Sequence, residues 1–437
     1  MAVQRKRVVR ATDAILRGED PGRAAGVLID AKWLERRNGN LAFGPACGDI
    51  VGLSVNRESL EWVVAGVGEL LAAGQLDADV LPIRGEPASP SELQQHLTSA
   101  FAAAAPHLPH GRVAGVGIAW PAPIAPNGEP RDYPFHHAGL RSRQTEPSLP
   151  LTPIVRRALA AAKIGDEETE TAPDIAVIND ADADMLFEMR YGVARGAANA
   201  MGLKICGGLG TALVHDGRLV RGGSGAAGEI EHIRVRLSEA ENLTWEKLVA
   251  LEDLPPCPCT GRECVGRFAT GGAIIDQLAN YFDGEELTPN ERGRRIEAEP
   301  MSPVISDVCG RAGGLLGQAL LGPVLAFDPE LLVVTSFPHS DALVDAIRTK
   351  LTKGTAVYLK GEKIVAGTPD RPTSAIGAAQ LAIEQSVVPR IDREVPYGRP
   401  STQRRDLPAW LRQRIPAAVE DVHDHAPDYG TAVGPGA

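Results

Sequence analysis

Hydrophobic segments of strand length alternate with helical segments from Ile50 onward, and this alternation limits the fold more than any other feature of the sequence. The segments form two successive blocks of about 150 residues, close to the usual size of a domain. A chain of 437 residues is long for a single domain, so the two blocks predict two α/β lobes with a cleft between them.

The strongest local predictions lie in the first block. Strands are predicted at Ile50 to Val55, Leu60 to Val67, Val113 to Ala119 and Asp174 to Asn179. Ser89 and Glu92 form a capping box around Pro90, which predicts a helix from Pro90 to Ala105. In the second block we predict a strand pair at Gly202 to Cys206 and Thr211 to His215, and a helix from Val304 to Leu325.

Charge and hydropathy exclude several classes of protein. The net charge of −11 argues against a surface built for nucleic acid, since such surfaces neutralise phosphates with Lys and Arg. No apolar stretch reaches the roughly 18 residues of a membrane span, and the first residues lack the apolar core of a secretory signal. We therefore expect a cytoplasmic protein with no membrane partner.

We divide the chain into residues 1–47, residues 48–388 with lobes of about 48–180 and 181–388, and a Pro-rich tail at 389–437. The tail is expected to be extended or disordered. The first segment is basic, because residues 1–40 carry a net charge of +4 against −15 in the remainder. It combines two helical runs with an Asn38-Gly39 hairpin signal, a plausible fragment of a winged helix. The alternative is a solvated arm.

Arg5, Lys6, Arg7 and Arg10 are the candidate nucleic-acid contacts of this basic segment. They lie on a predicted amphipathic helix, and lysine and arginine side chains neutralise DNA phosphates. An acidic partner surface would attract the same side chains. We predict that they contact DNA or such a surface.

Three cysteines within eight residues, Cys257, Cys259 and Cys264, are the clearest ligand pattern. Together with His232 they supply the three thiolates and one imidazole of a closed structural zinc site. Intracellular thiols stay reduced, which favours coordination over disulfide pairing. The alternative is three unrelated loop cysteines. The 24 residues that separate His232 from Cys257 weaken the signal for the fourth ligand.

Asn179 and Asp180 end a hydrophobic strand immediately before a helix. The carboxyl ends of strands face the ligand crevice in α/β folds, so Asp180 is placed to hydrogen-bond or deprotonate a hydroxyl. Asp180 could equally cap the helix. Gly207, Gly208 and Gly210 could form a phosphate-binding turn, although an isolated glycine-rich loop is weak support.

Five ordered segments resemble the ROK family of sugar kinases and sugar-responsive repressors, over about Gly48 to Val388. These segments are Val116 to Pro123, Val177 to Ala181, Gly222 to His232, Cys257 to Cys264 and Ile376 to Ala379. The resemblance implies a two-lobed actin-like, ribonuclease H-like fold. It also implies that Asp180 is the catalytic base if the protein is a kinase. Asn179, Asp180, Glu229 and His232 would bind a sugar, and His232 would also be a zinc ligand.

The sequence departs from the family pattern where kinases of the family contact ATP. Gly52 to Ser59 lacks the acid and the glycines of the first phosphate loop, and Cys206 to Gly208 lacks the threonine of the second. Thr335 to Pro338 replaces the glycine pair beside adenosine. Phosphoryl transfer depends on positioning and charge neutralisation, so ATP-Mg is not expected to bind in the family manner.

The sugar side of the resemblance is mixed. A family glutamate is Gly266 here, and the family glycine before His232 is Glu231. One carboxylate is therefore lost and another appears nearby, which could change sugar specificity.

We considered three functions. The leading hypothesis is a carbohydrate-sensing regulator or pseudokinase that holds structural zinc, with a small carbohydrate effector and DNA as partners. Its difficulty is that the N-terminal region is short for a family winged-helix domain. The alternatives are an ATP-dependent sugar kinase acting on a hexose or amino sugar, and a catalytically silent binding or scaffold protein. The expected assembly is a homodimer or homotetramer.

Overall fold

The computed structural model describes residues 2–16, 21–37, 40–56, 59–67, 70–78, 80, 89–131, 150–164, 173–237, 254, 263–282, 287–354, 360–368 and 372–394. Cys257, Cys259 and the tail beyond residue 394 lie outside these ranges. The side chains of Arg5 and Lys6 are also outside the described set.

Two five-stranded sheets carry the architecture. The first has the strand order β5-β4-β3-β6-β7, in which β3, β4 and β5 are antiparallel while β6 and β7 run parallel to β3. Its strands are β3 (Asp49–Val55), β4 (Ser59–Ala65), β5 (Leu70–Asp77), β6 (Val113–Trp120) and β7 (Asp174–Asn179).

The second sheet repeats this topology with the order β10-β9-β8-β11-β12. Its strands are β8 (Ala200–Ile205), β9 (Leu209–His215), β10 (Arg218–Leu219), β11 (Leu331–Ser336) and β12 (Ile364–Ala366). The predicted strands of both blocks are confirmed, whereas the short or exposed strands β5, β10 and β12 were not predicted.

Helices form layers around and between the two sheets. They are α1 (Ala2–Leu16), α2 (Gly26–Asp30), α3 (Pro90–Ala104), α4 (Leu151–Ala161), α5 (Asp180–Arg190), α6 (Gly266–Ala269), α7 (Gly271–Gln277), α8 (Pro289–Ala298), α9 (Pro303–Phe327), α10 (Asp341–Gly354), α11 (Thr373–Ala382) and α12 (Val388–Glu394). Helices α3 and α4 cover the outer face of the first sheet, and α9 and α10 cover the outer face of the second.

Helices α5 and α11 form the middle layer. The alternation of side chains along β3 sends Val51 and Leu53 toward α3, while Gly52 faces α11. A methyl group added to Gly52 or Gly117 would collide with the backbone of α11, so glycine permits this close approach. Although the sequence division near residue 181 assigns α11 to the second lobe, its main contacts are with the first sheet and with α5.

The N-terminal segment packs onto the first lobe. The hairpin predicted from Asn38-Gly39 is confirmed as β1 (Leu34–Arg37) and β2 (Asn40–Phe43). Val8, Ala11 and Ile15 on one side of α1 are buried in the same core as the end of the C-terminal helical run, while Arg7 and Arg10 are exposed. This segment therefore contributes to the hydrophobic core, and deleting it would remove part of that core.

Helix α9 is long and apolar enough to cross a membrane by length and composition, and it is the one such helix among the described residues. Its apolar side packs against the outer face of the second sheet through Leu316 and Leu320, which are fully buried. We interpret α9 as a core helix of the second lobe.

Candidate functional site

The junction between β7 and α5 places the predicted site residues Asn179 and Asp180. Asn179 caps α5, because its Oδ1 accepts hydrogen bonds from the backbone N–H groups of Ala181 and Asp182 at 2.9 and 3.2 Å. Its Nδ2 donates to the carbonyl oxygen of Ala122 at 3.2 Å. The alternative that Asp180 caps the helix is therefore wrong, and Asp180 is the first helical residue.

Asp180 contacts a lysine that the sequence analysis did not single out. The ammonium of Lys204, on β8, lies 3.3 Å from Asp180 Oδ2 and 2.9 Å from Asp184 Oδ2. It also donates to the hydroxyl of Ser374 on α11 at 2.7 Å. Second-sheet, α5 and α11 side chains thus meet in one buried cluster.

The charges of this cluster are strongly coupled. Burial alone would lower the pKa of Lys204, but the attraction of Asp180 and Asp184 raises that pKa well above its ordinary value. Burial raises the pKa of Asp180, against the opposing effect of Lys204. Burial also raises the pKa of Glu61 on β4, which is within electrostatic range of Lys204 and Asp184. The Lys204 ammonium therefore contacts Asp180 and Asp184 and lies within electrostatic range of Glu61.

The segment that carries Glu229 packs against β9. Gly228 has a φ of +87°, and its carbonyl oxygen accepts a hydrogen bond from the Thr211 hydroxyl. A side chain at residue 228 would strike the Thr211 backbone, so glycine is required there. This contact fixes the loop that carries Glu229 against β9.

Asp182 links the electrostatics of Asp180 and Glu229. Burial raises the pKa of Asp182 to about 7, and the charges of Asp180 and Glu229 add to the rise while Arg221 opposes it. Asp180, Asp182, Glu229 and Arg221 therefore share one electrostatic environment. Carboxylates accept hydrogen bonds from sugar hydroxyls, and Arg221 can donate to sugar oxygens.

A cavity of about 410 Å³ opens on the outer face of the second sheet. Its lining residues include the polar residues Glu229 and Thr211 and the apolar residues Met201, Leu213 and Phe327. Met201 and Leu213 project from the face of β8 and β9 opposite to Lys204. This mainly apolar lining suits a polyol poorly.

The predicted zinc ligands are only partly described. Residues Glu231 to Val235 pair with Glu263 to Gly266 through backbone hydrogen bonds of 2.9 to 3.0 Å, including a bridge between Arg234 and Cys264. This pairing brings the segments of His232 and Cys264 side by side, and Cys264 is a buried thiol. Within the described residues no group of three metal-ligating side chains forms.

The glycine turn after β8 packs tightly against α5. A methyl group on Gly210 would lie 2.8 Å from Cβ of Ala181, and one on Gly208 would lie 3.7 Å from a carboxylate oxygen of Glu231. Gly207 completes the turn, in which the backbone N–H of Cys206 bonds to the carbonyl oxygen of Gly208 at 3.0 Å. A carboxylate beside Gly208 disfavours an anionic phosphate at this turn.

Side chains occupy the space next to the carboxyl end of β11. A methyl group on Gly293 of α8 would lie 2.5 and 2.6 Å from two ring atoms of Phe337, so the ring rests on the α8 backbone. The Thr335 methyl group packs against Gly367. The space between the end of β11 and α8 is therefore occupied by the Phe337 ring.

Four residues near the site were not predicted from the sequence: Lys204, Asp182, Asp184 and Arg221. Lys204 carried a usable signal, since lysine is rare inside a strand whose other residues are apolar or glycine. Asp184 lies one helical turn after Asp180 and so shares its face of α5. Asp182 and Arg221 carried no signal without knowledge of their neighbours.

Comparison with known proteins gives a consistent result. A family model described as ROK family matches residues 85–385. The N-acetyl-D-glucosamine kinase of Vibrio cholerae serotype O1 is 25% identical over 226 residues, which cover 50% of this chain and 70% of the relative. The glucokinase of Streptomyces coelicolor is 24% identical over 241 residues, which cover 52% and 68%.

Two solved structures have folds similar to that of this chain. A ROK family glucokinase from Streptomyces griseus, in complex with glucose and AMPPNP, gives a TM-score of 0.57 at 20% identity and covers 77% of this chain and 100% of its own. A ROK family transcriptional regulator, a homolog of the E. coli MLC protein, gives 0.56 at 19% identity and covers 83% and 87%. At these identities the likeness shows the fold alone.

Proposed function

Because the chain belongs to the ROK family, we propose that it is a carbohydrate-responsive regulator or pseudokinase that binds a sugar-like effector and does not transfer phosphate from ATP. Relatives that match the sequence are named as sugar kinases, and a regulator is among the similar structures. The choice between the two activities therefore depends on the site of this chain.

The observation that carries the proposal is the Phe337 ring seated on Gly293. The family resemblance assigns adenosine to the end of β11, and a nucleotide would have to displace this ring. The Glu231 carboxylate near Gly208 adds a repulsive charge at the corresponding phosphate turn. Both features oppose ATP binding, and neither involves the residues proposed to bind sugar.

The proposed effector site contains Asn179, Asp180, Glu229 and His232. The Asn179 side chain is hydrogen-bonded to the N-terminus of α5 and to the carbonyl oxygen of Ala122. We therefore assign it the role of orienting Asp180. Asp180 and Glu229 would accept hydrogen bonds from adjacent hydroxyls of a pyranose. Asp182 and Arg221 join the site as neighbours of both carboxylates.

We expect the purified protein to bind D-glucose or N-acetyl-D-glucosamine in isothermal titration calorimetry and to show no heat of binding with ATP-Mg. Asp180→Asn should weaken sugar binding at least about 10-fold, because a hydrogen bond to a charged group is lost. Asp174→Ala, at the exposed opposite end of β7, is the matched control and should bind normally.

A coupled assay for ADP distinguishes the alternatives. Sugar-dependent ADP release that disappears in Asp180→Asn would establish the sugar kinase. Absence of binding to both sugars and nucleotide, across a wider panel of hexoses and amino sugars, would favour the scaffold protein.

Structural zinc held by His232, Cys257, Cys259 and Cys264 remains a proposal. The donor set fits zinc, and the paired backbone segments carry His232 and Cys264 to the same place. We expect elemental analysis of freshly purified protein to find one zinc per chain, and Cys264→Ser to lose most of it. Cys309→Ser, which removes a buried thiol of α9, should keep the metal. Wild-type protein free of zinc would contradict the assignment.

DNA contact through Arg5, Lys6, Arg7 and Arg10 also remains a proposal. Arg7 and Arg10 are exposed on α1, whereas the apolar side of the helix is buried in the core of the first lobe. The basic side chains are therefore accessible while the helix stays attached to that lobe. We expect the double substitution Arg7→Glu/Arg10→Glu to weaken binding to upstream DNA. The affinity of the variant should also depend less steeply on salt concentration, because fewer phosphates are neutralised. Equal binding by wild type and variant would remove the support for DNA contact. A homodimer would pair two such helices and raise affinity.

A further inference from the structure

Lys204 is an unusual residue for its position in the fold. It lies on β8, between β9 and β11, and its side chain projects toward the α5 and α11 layer. Only 13% of that side chain is exposed. Removing an ammonium group from water costs several kcal/mol unless nearby groups compensate, so the contacts of Lys204 need an explanation.

The ammonium group is fully coordinated by oxygen atoms. Its contacts are Asp184 Oδ2 at 2.9 Å, Asp180 Oδ2 at 3.3 Å and Ser374 Oγ at 2.7 Å. An ammonium group has three N–H donors, so these three oxygens account for all of them. The position is therefore a built cation site, with α5 and α11 supplying the oxygens.

Two carboxyl groups share the single ammonium group of Lys204. Asp184 Oδ1 also accepts hydrogen bonds from the Thr373 and Ser374 hydroxyls, at 2.7 and 2.5 Å, which fixes its orientation. Glu61 approaches from β4 of the first sheet, within electrostatic range of Lys204 and Asp184. Carboxylate and hydroxyl oxygens of this kind are the ligands that divalent cations such as Mg²⁺, Ca²⁺ and Mn²⁺ prefer.

We infer that Lys204 is a tethered cation that occupies the position between Asp180, Asp184 and Ser374 at which a divalent metal ion would otherwise bind. The acidic centre, defined as Asp180 and Asp184, keeps its geometry through this internal charge without a bound metal. Because Lys204 comes from the second sheet, the same contacts join that sheet to α5 and α11. The inference does not depend on sugar binding.

The test is to remove the tethered charge and to offer a metal ion in its place. In full-length Lys204→Ser protein, we expect Mn²⁺ to bind, as measured by loss of the free Mn²⁺ signal in electron paramagnetic resonance. Saturating Mn²⁺ should also raise the melting temperature by at least about 2 °C. Wild type should show neither effect at this site, since its ammonium occupies the position.

Lys204→Ser/Asp184→Asn is the matched control, because it opens the same space but removes one carboxylate. Its Mn²⁺ affinity should fall at least about 10-fold below that of Lys204→Ser. Mn²⁺ that binds elsewhere, for example at the predicted zinc ligands, should bind equally to wild type and to both variants. It therefore does not affect the difference in Mn²⁺ binding between them.

Two outcomes would overturn the inference. In the first, Lys204→Ser folds and binds no more Mn²⁺ than wild type. In the second, Lys204→Ser binds Mn²⁺ but Lys204→Ser/Asp184→Asn binds it equally well. If Lys204→Ser unfolds without metal, refolding is compared with and without Mn²⁺. Recovery that requires both Mn²⁺ and Asp184 supports the tethered cation, and failure to recover in Mn²⁺ rejects it.

Discussion

Lys204→Met is expected to lower the free energy of unfolding by about 3 to 5 kcal/mol at neutral pH, the usual cost of leaving buried charge without its partner. Methionine fills the volume of the lysine stem, so the loss reports the charge rather than a cavity. Asp180 and Asp184 would remain buried without Lys204, the cation that contacts both of them among the described residues. Urea denaturation followed by circular dichroism measures the difference.

The way in which the free energy of unfolding changes with pH follows from the direction in which each pKa is shifted. The pKa of Lys204 is raised in the folded protein, so its stabilisation is present below its ordinary value near 10.4 and is lost as pH rises through the folded value. In Lys204→Met the Asp180 carboxyl acquires a proton more readily, because burial raises its pKa and the opposing charge of Lys204 is gone. The deficit should therefore be small near pH 4 and should grow as pH rises toward 7.

Lys360→Met is the control for lysine loss, because Lys360 is exposed in the described structure. Its effect should stay within about 0.5 kcal/mol. A second substitution, Asp184→Asn, should return part of the stability lost in Lys204→Met, since it removes one of the two stranded charges. Equal stability of Lys204→Met and Lys360→Met would show that the ion pairs contribute nothing.

Gly377→Ala is expected to destabilise the protein by about 1 to 3 kcal/mol, the range found for overpacked cores. The added methyl group would lie well inside van der Waals contact of the Ala183 carbonyl oxygen, where α11 meets α5. Backbone cannot move aside as a flexible side chain can, so the two helices must separate. Because Asp184 and Ser374 lie beside this contact, the Lys204 cluster should loosen as well.

Gly314→Ala tests the same substitution where the helix has room. Gly314 lies in the interior of α9, and a methyl group there meets no atom within 4 Å. Alanine should stabilise the helix at this position by about 0.5 to 1 kcal/mol, because it lowers the entropy of the unfolded chain. Opposite signs for the two variants, measured by thermal unfolding, would confirm that close packing decides the cost. Gly377→Ala as stable as wild type would contradict the close contact.

Local pattern was enough to predict most of the elements. Strands β3, β6 and β7 are continuous apolar runs because both of their faces are covered, and the Ser89 and Glu92 capping box marks the start of α3. The Asn38-Gly39 turn predicted the N-terminal hairpin. The edge strand β5 was missed because its alanines, glycine and aspartate have low strand propensity.

The sequence by itself determined the family, the two α/β blocks and the position of Asp180 at a strand end, because these depend on residues close together along the chain. Tertiary structure alone decided that Lys204 contacts Asp180, that Phe337 covers Gly293 and that α1 joins the core of the first lobe. The physical reason is separation in sequence. Lys204 and Ser374 are 170 residues apart, and no local preference specifies which distant side chains meet when the sheets and helices pack.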